Sequence, residues 1–437
     1  MITVEQRIAR HQETQPSPTP DLLWPQEVES RLRDEAWNMD EQELPSKVIF
    51  CKRCVVSNQR PRIVFDDEGI CSACRYAEYK DKMDRRVREQ QFREMLERHR
   101  RPTGYDVIVP CSGGKDSSMV AHRLKHDYDM HPLCVKWAPF AYTDVGLRNF
   151  QSFVHAGFDV LVAWPNGNIH RKLSRLAFEY LGDAWQPFTF GQLCYPMQMA
   201  RRFGISLVMF GENGEAEYGG DPAANDKPCW DYADWDRVYL KGANVDRLVE
   251  IGTQLGAISG AEKRDVSEFY RMPPAARDIE FHWFGYYHHW TPQENYMYAC
   301  EHTSFECNPG RSEGTYSKYA SLDDRFDGLH YYMAFIKFGI GRCTSDAAHE
   351  IRDRHITRDE AIALVTRFDG EFPKKHFHEF LVYLGMDEDR FWQVVDRWRR
   401  PHIWHHRTEP GHLVGEWHLN EPIWKGWKPP QSPPPIA

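Results

Sequence analysis

With 437 residues, 41% of them hydrophobic and 27% charged, the chain is long enough for two or three packed units with real cores. Its 55 Lys+Arg against 64 Asp+Glu give a net charge of −9, which speaks against a nucleic-acid binder relying on a global basic field. Eleven cysteines in this length are too sparse for a disulfide scaffold, no apolar run reaches membrane-span length, and Met1–Arg10 is charged without an apolar core. The expectation is a cytoplasmic protein in a reducing compartment, with no membrane partner and no secretory signal.

In chain order, residues 1–45 read as an extension broken by Pro16, Pro18, Pro20 and Pro25. Residues 46–80 hold two close cysteine pairs. Residues 81–101 read as a connecting helix with interleaved charges, stopped by Pro102 and Gly104. From 102 to 260 short apolar strands alternate with helical segments. Strands are expected at Asp106–Pro110, Pro132–Trp137, Asp159–Ala163 and Ile205–Phe210. Helices are expected at Ser117–Lys125, Val145–His155, Leu173–Leu181 and Pro196–Phe203. That pattern predicts an α/β fold with a parallel sheet covered on both faces, whose ligands sit beyond the carboxyl ends of the strands. Residues 261–428 read as mainly helical, with Thr357-Arg-Asp-Glu360 as a capping box, and 429–437 as a proline-rich disordered tail.

Cys51-Lys-Arg-Cys54 and Cys71-Ser-Ala-Cys74 lie sixteen residues apart. A two-residue gap lets both thiolates of a pair face one ion, and two pairs complete a tetrahedron. Four protein ligands leave no open position, so Cys51, Cys54, Cys71 and Cys74 are expected to hold a structural Zn2+, ahead of an iron site or bare thiols.

Three further segments carry chemistry. Pro110-Cys-Ser-Gly-Gly-Lys-Asp-Ser-Ser118 joins a strand to a helix. Its Gly113 and Gly114 let backbone approach a phosphate, Ser112, Ser117 and Ser118 add hydroxyls, and Lys115 adds charge beside Asp116 at a helix N-terminus. The spacing is not Walker A, and a plain glycine turn is the bland alternative. In Gly211–Gly220, Glu212 and Glu215 follow an apolar strand, as Mg2+ or proton-handling carboxylates or as a solvated turn. In a helix expected over 321–338, Asp323, Asp327, His330 and Lys337 share one face, read as lining a polar cleft rather than an internal ion network. The aromatic run His282–Trp290 is read as core or subunit contact, and Cys111 and Cys194 as buried thiols.

Ser-Gly-Gly-Lys-Asp-Ser resembles the signature of the PP-loop ATP pyrophosphatases, and Gly211–Gly220 resembles an element of the asparagine synthetases, another PP-loop group. Together with the paired cysteines, Gly314–Asp324, Lys337–Arg342 and Ile356–Ala361, the chain over roughly 46–425 resembles the N-acetyl sugar amidotransferase family of surface-glycan biosynthesis. The resemblance implies ATP and Mg2+, with the acetamido oxygen of a free or nucleotide-linked N-acetyl sugar capturing AMP and ammonia then displacing it to leave an acetamidine. It implies that residues 102–260 form the ATP-binding domain, completed by 261–428. It implies Lys115 and Asp116 at the phosphates, Glu212 as candidate base, and Lys337 or Arg342 at the leaving AMP. Met1-Ile2 and the lack of a Gly-x-Cys-x-Gly elbow predict no built-in glutaminase, so ammonia comes free or from a separate glutaminase subunit. Two rivals stay open. One is a tRNA-thiolating PP-loop enzyme using Cys111 or Cys194. The other is a non-catalytic nucleotide-binding partner in a glycan assembly complex.

Overall fold

The computed structural model describes residues 44–428 except 231–234, 236–237, 239, 241, 275, 321 and 408–415. Nearly all of the expected extension and the whole proline-rich tail lie outside the described residues. The first helices are α1 (Ser72–Lys82), which starts inside the second cysteine pair, and α2 (Arg85–His99), capped by Asp84. A Rossmann-like alternation follows: β1 (Val107–Pro110), α3 (Lys115–His126), β2 (Pro132–Trp137), α4 (Asp144–His155), β3 (Val160–Ala163), α5 (Gly167–Leu181), α6 (Gln186–Phe203) and β4 (Leu207–Phe210). Then come α7 (Gly214–Tyr218), α8 (Val245–Gln254), β5 (Glu280–Trp283), α9 (Phe284–Tyr287) and α10 (Pro292–Thr303). The C-terminal part holds α11 (Asp327–Phe338), α12 (Arg342–Arg352), α13 (Arg358–Phe368), α14 (Phe377–Leu384), α15 (Glu388–Arg397) and a hairpin of β6 (Trp404–Arg407) and β7 (Glu416–Leu419). No described helix is long and apolar enough to cross a membrane.

The five strands form one parallel sheet in the order β3-β2-β1-β4-β5. Val109 sits opposite Cys134, Ile108 opposite Val208, and Val208 opposite Phe281. Strands so short stay in register because helices cover both faces and bury β-branched and aromatic side chains there. The chain turns outward in opposite directions from β1, so the crevice between the β1 and β4 ends is the switch point of the sheet.

Four elements differ from the sequence expectation. The sheet runs past residue 260: β5 is drawn from the segment expected to be helical, its Phe281 and Trp283 buried against β4. α6 begins ten residues before Pro196, which sits inside the helix rather than at its start. Proline has no N–H, so the carbonyl of Gln192 is released from the helical ladder. α5 likewise begins at Gly167, because Asn166 caps the N–H groups of Asn168 and Ile169. Finally, α11 starts only at Asp327, so Asp323 precedes the helix and does not belong to its face; Ser321 lies outside the described residues. The capping box at α13 forms as read, with both reciprocal bonds between Thr357 and Glu360.

The cysteine-bearing unit has no separate core. Val55 and Val56 are buried in one cluster with Ala347 of α12 and Ile362 and Val365 of α13. Arg358 of α13 donates to the carbonyls of Cys54 and Cys51 at 3.2 and 3.4 Å.

Candidate active site

β1 delivers the chain into the Gly-rich turn at the switch point. Gly113 has φ +80°, and a Cβ there would lie 2.7 Å from the Phe150 Cα, so both conformation and space demand glycine. Ser112 Oγ accepts from Gly114 N (3.0 Å), while Ser117 Oγ accepts from Ser112 N and donates to the Gly114 carbonyl (both 3.3 Å). These bonds hold the turn and leave the first turn of α3, whose N-cap Gly114 supplies no side chain, without a side-chain cap. Free N–H groups at a helix start suit an anion. Lys136, the one charge in the buried strand β2, supports the turn from beneath. Its Nζ donates to the Ser112 carbonyl, lies 3.7 Å from Asp323 and packs over the Tyr142 and Phe150 rings.

The turn opens into a cleft of about 520 Å³. Ser112, Gly113, Gly114, Lys115 and Asp116 form one wall, Glu212 and Tyr218 another. Asp323, Asp324, Asp327, His330, Arg342 and Asp346 close it from the C-terminal region, and Trp185, the N-cap of α6, adds to it with Phe188, Thr189 and Gln192 of the helix. Asp116 pairs with Lys115 and accepts a bond from Asn295 of α10 at 2.9 Å, which fixes its carboxylate. Burial and the charge of Asp116 push the Glu212 carboxyl up to about 7, so it changes charge near neutrality. Burial, with Asp323 and Asp327 nearby, raises the Asp324 carboxyl well above its ordinary value; it accepts from the N–H groups of Phe140 and Phe326. His330 is oriented by Asp183 at 2.9 Å. Arg342 bonds the Tyr331 hydroxyl and pairs with Asp346 at 2.9 Å.

The structure therefore brings together most of the residues singled out in the sequence, but not all. Ser117 and Ser118 lie behind the turn, and Ser118 is buried without lining the cleft. Glu215 is outside it too: Arg62 grips both its oxygens at 3.0 and 2.6 Å, and this pairing outweighs burial and holds the carboxyl below its ordinary value. Lys337 points away, its Nζ buried and donating to the Leu181 carbonyl at 2.6 Å, which leaves Arg342 as the nearer match to a phosphate contact. Lys136, Asn295, Asp346 and Arg60 had not been singled out. Only Lys136 left a trace in the sequence, a lone charge in an apolar strand.

Behind the acidic turn a buried network ties three parts together. Glu217 of α7 receives two bonds from Lys80 of α1, at 2.8 and 2.6 Å, and lies 3.5 Å from His349 of α12. Burial alone would raise the Glu217 carboxyl, but the Lys80 charge and His349 bring it down to about 2. His349, despite burial, is raised by Asp353 and Glu217. Next to this network the four thiols converge. Cys51 and Cys74 sulfurs are 4.0 Å apart, those of Cys54 and Cys71 3.7 Å, and all four lie within 4.8 Å of one another. A tetrahedron with metal–sulfur bonds of about 2.3 Å has edges of about 3.8 Å, so the set fits a single structural metal ion.

A Ser-Gly-Gly-Lys-Asp-Ser turn at the switch point of a five-stranded parallel sheet, with a buried four-cysteine centre in front and helices behind, defines a PP-loop protein. Residues 313–420 match the family model described as LPS biosynthesis protein WbpG-like, C-terminal domain. That matched stretch, which holds Asp323, Asp327, His330, Arg342 and Asp346, is similar to the C-terminal domain of the WbpG-like proteins of lipopolysaccharide biosynthesis. No curated protein matches it. Among solved structures, the U34-tRNA thiolase NcsA from Methanococcus maripaludis with its 4Fe–4S cluster aligns over 76% of this chain and 95% of its own, at 11% identity and a TM-score of 0.24.

Proposed function

We propose that this protein is an ATP-dependent amidotransferase that converts the acetamido group of a free or nucleotide-linked N-acetyl sugar into an acetamidino group. The acetamide oxygen attacks the α-phosphorus of ATP and pyrophosphate leaves. Ammonia adds to the resulting imidate carbon, and AMP departs with the former acetamide oxygen. The turn amides and Lys115 take the phosphate charge, which a preorganised site stabilises without reorganising solvent. Asp116 is the group that would hold Mg2+, which supplies further charge neutralisation when bound. Glu212, ionised above about pH 7, accepts a proton from the attacking ammonia. Arg342 holds the AMP phosphate as it leaves. Ammonia arrives free or from a separate glutaminase subunit, and the four cysteines hold Zn2+.

One observation carries this reading. The phosphate turn faces a carboxylate titrating near neutrality, and no cysteine among the described residues lines the cleft. Cys111 and Cys194 are both buried, so nitrogen rather than sulfur transfer suits the site. The test is to supply ATP, Mg2+, ammonium and a panel of N-acetyl sugars and their nucleotide conjugates. AMP and pyrophosphate should form in equal amounts, and the sugar should lose roughly one dalton as oxygen is replaced by NH. A heavy-oxygen label in the acetamide should appear in AMP. Accumulation of ADP and orthophosphate would overturn the reading, and no nucleotide turnover with any acceptor would favour the non-catalytic partner.

A further inference from the structure

The cysteine-bearing unit sends one side chain into the cleft. Arg60, on the loop between the two cysteine pairs, lines it alongside Tyr218. Its guanidinium carbon sits 5.7 Å from the centre of the Tyr218 ring, and its Nε is shut off from solvent with no hydrogen-bond partner among the described residues. Glu215, whose charge acts on Arg60, is already committed, since it is gripped by Arg62 and also accepts from Asp221 N at 3.0 Å. Arg352, also in this region, spends a donor on the Glu217 carbonyl.

We infer that Arg60 is an anion-recognition residue of the cleft and takes a phosphoryl group of a bound substrate. A guanidinium whose Nε is closed off from solvent with its bond unmade is costly unless a ligand completes it, and its planar fork matches phosphate oxygens. The backbone holds it in place. Arg60 N donates to the Ser57 carbonyl at 3.4 Å and Ile63 N to the Arg60 carbonyl at 3.2 Å, within a turn where Arg62 adopts φ +63°. Burial depresses the Arg60 pKa, in keeping with a charge that lacks its counter-ion. The four-cysteine centre thus does more than fold its own unit, because it sets the position of a substrate contact. The inference rests on the proposed function for the presence of phosphorylated substrates. Two sources fit the chemistry, ATP itself and the diphosphate of a nucleotide-linked sugar.

Calorimetry with the metal-loaded full chain separates them, using ATP against adenosine and UDP against uridine as probes. Arg60→Gln should weaken either ATP or UDP about 10- to 100-fold, the size of a lost charged hydrogen bond, and leave the nucleosides unchanged. The nucleotide that weakens identifies the source. Arg60→Lys should fall between, keeping the charge but not the fork, and it decides the matter if Arg60→Gln loses its metal or its thermal transition. Wild-type affinity of these variants for both nucleotides would overturn the inference while leaving the proposed function standing. A wild-type protein that bound neither nucleotide would remove both.

Discussion

Glu212 is expensive to keep where it is. Its carboxyl titrates at about 7 in the folded chain against an ordinary value of 4.5, because it is buried beside Asp116. With the folded value raised, the contribution to stability is complete below about pH 4.5 and is lost as pH rises through about 7. Glu212→Gln should therefore stabilise the protein at pH 8 by on the order of 1–3 kcal/mol, read by chemical denaturation, with little change at pH 4.5. The same substitution should depress turnover and erase the rise in rate across pH 7 that a carboxylate base produces. An unchanged pH–rate profile would take the base role away from Glu212. The sequence showed Glu212 as one acid among several in Gly211–Gly220, and no spacing rule could separate it from Glu215. What separates them is a partner 153 residues upstream: Arg62 claims Glu215 and leaves Glu212 unpaired in the cleft.

Among elements, the strand–turn–helix of β1 and α3 was plain in the sequence, since a short apolar run followed by Gly-Gly and helix-forming residues permits few other arrangements. Gly113→Ala tests it. A methyl group would need to occupy space 2.7 Å from Phe150 Cα at a backbone angle that alanine resists. ATP binding should be lost, by calorimetry, while the far-ultraviolet dichroism of the folded chain persists. α6 and α11 were harder to read. Pro196 suggested a helix start, but its missing N–H falls where Gln192 borders the cleft and tertiary burial carries the helix through. For α11, the shared face of Asp323, Asp327, His330 and Lys337 assumed one continuous helix. The helix begins at Asp327, and Lys337 is nearly three turns further on, beside Leu181 rather than the cleft. Periodicity tells which residues share a face, not how far along it a cleft extends.

At the scale of the whole molecule, the cysteine-bearing unit lends a side chain to the wall of the cleft rather than standing as an appendage. Sequence spacing disclosed its four ligands but not its neighbours, because Lys80, Glu217 and His349 come from regions that only folding brings together. Lys80→Met should cost about 3 kcal/mol in denaturation experiments, since it strips a buried carboxylate of its main partner, and metal content should fall with it. Removing the metal with a chelator should lower the thermal midpoint and abolish nucleotide binding in the same transition. An apo chain that still bound ATP normally would mean the unit is detachable. The walls of the cleft are contributed by residues as far apart as Arg60 and Asp346. A ribosome must therefore release most of this polypeptide before any growing copy can complete the cleft, and fragments ending after the sheet should show no nucleotide turnover however well they fold. Under the proposed function, synthesis itself would thus act as a safety catch on an activated intermediate that water destroys.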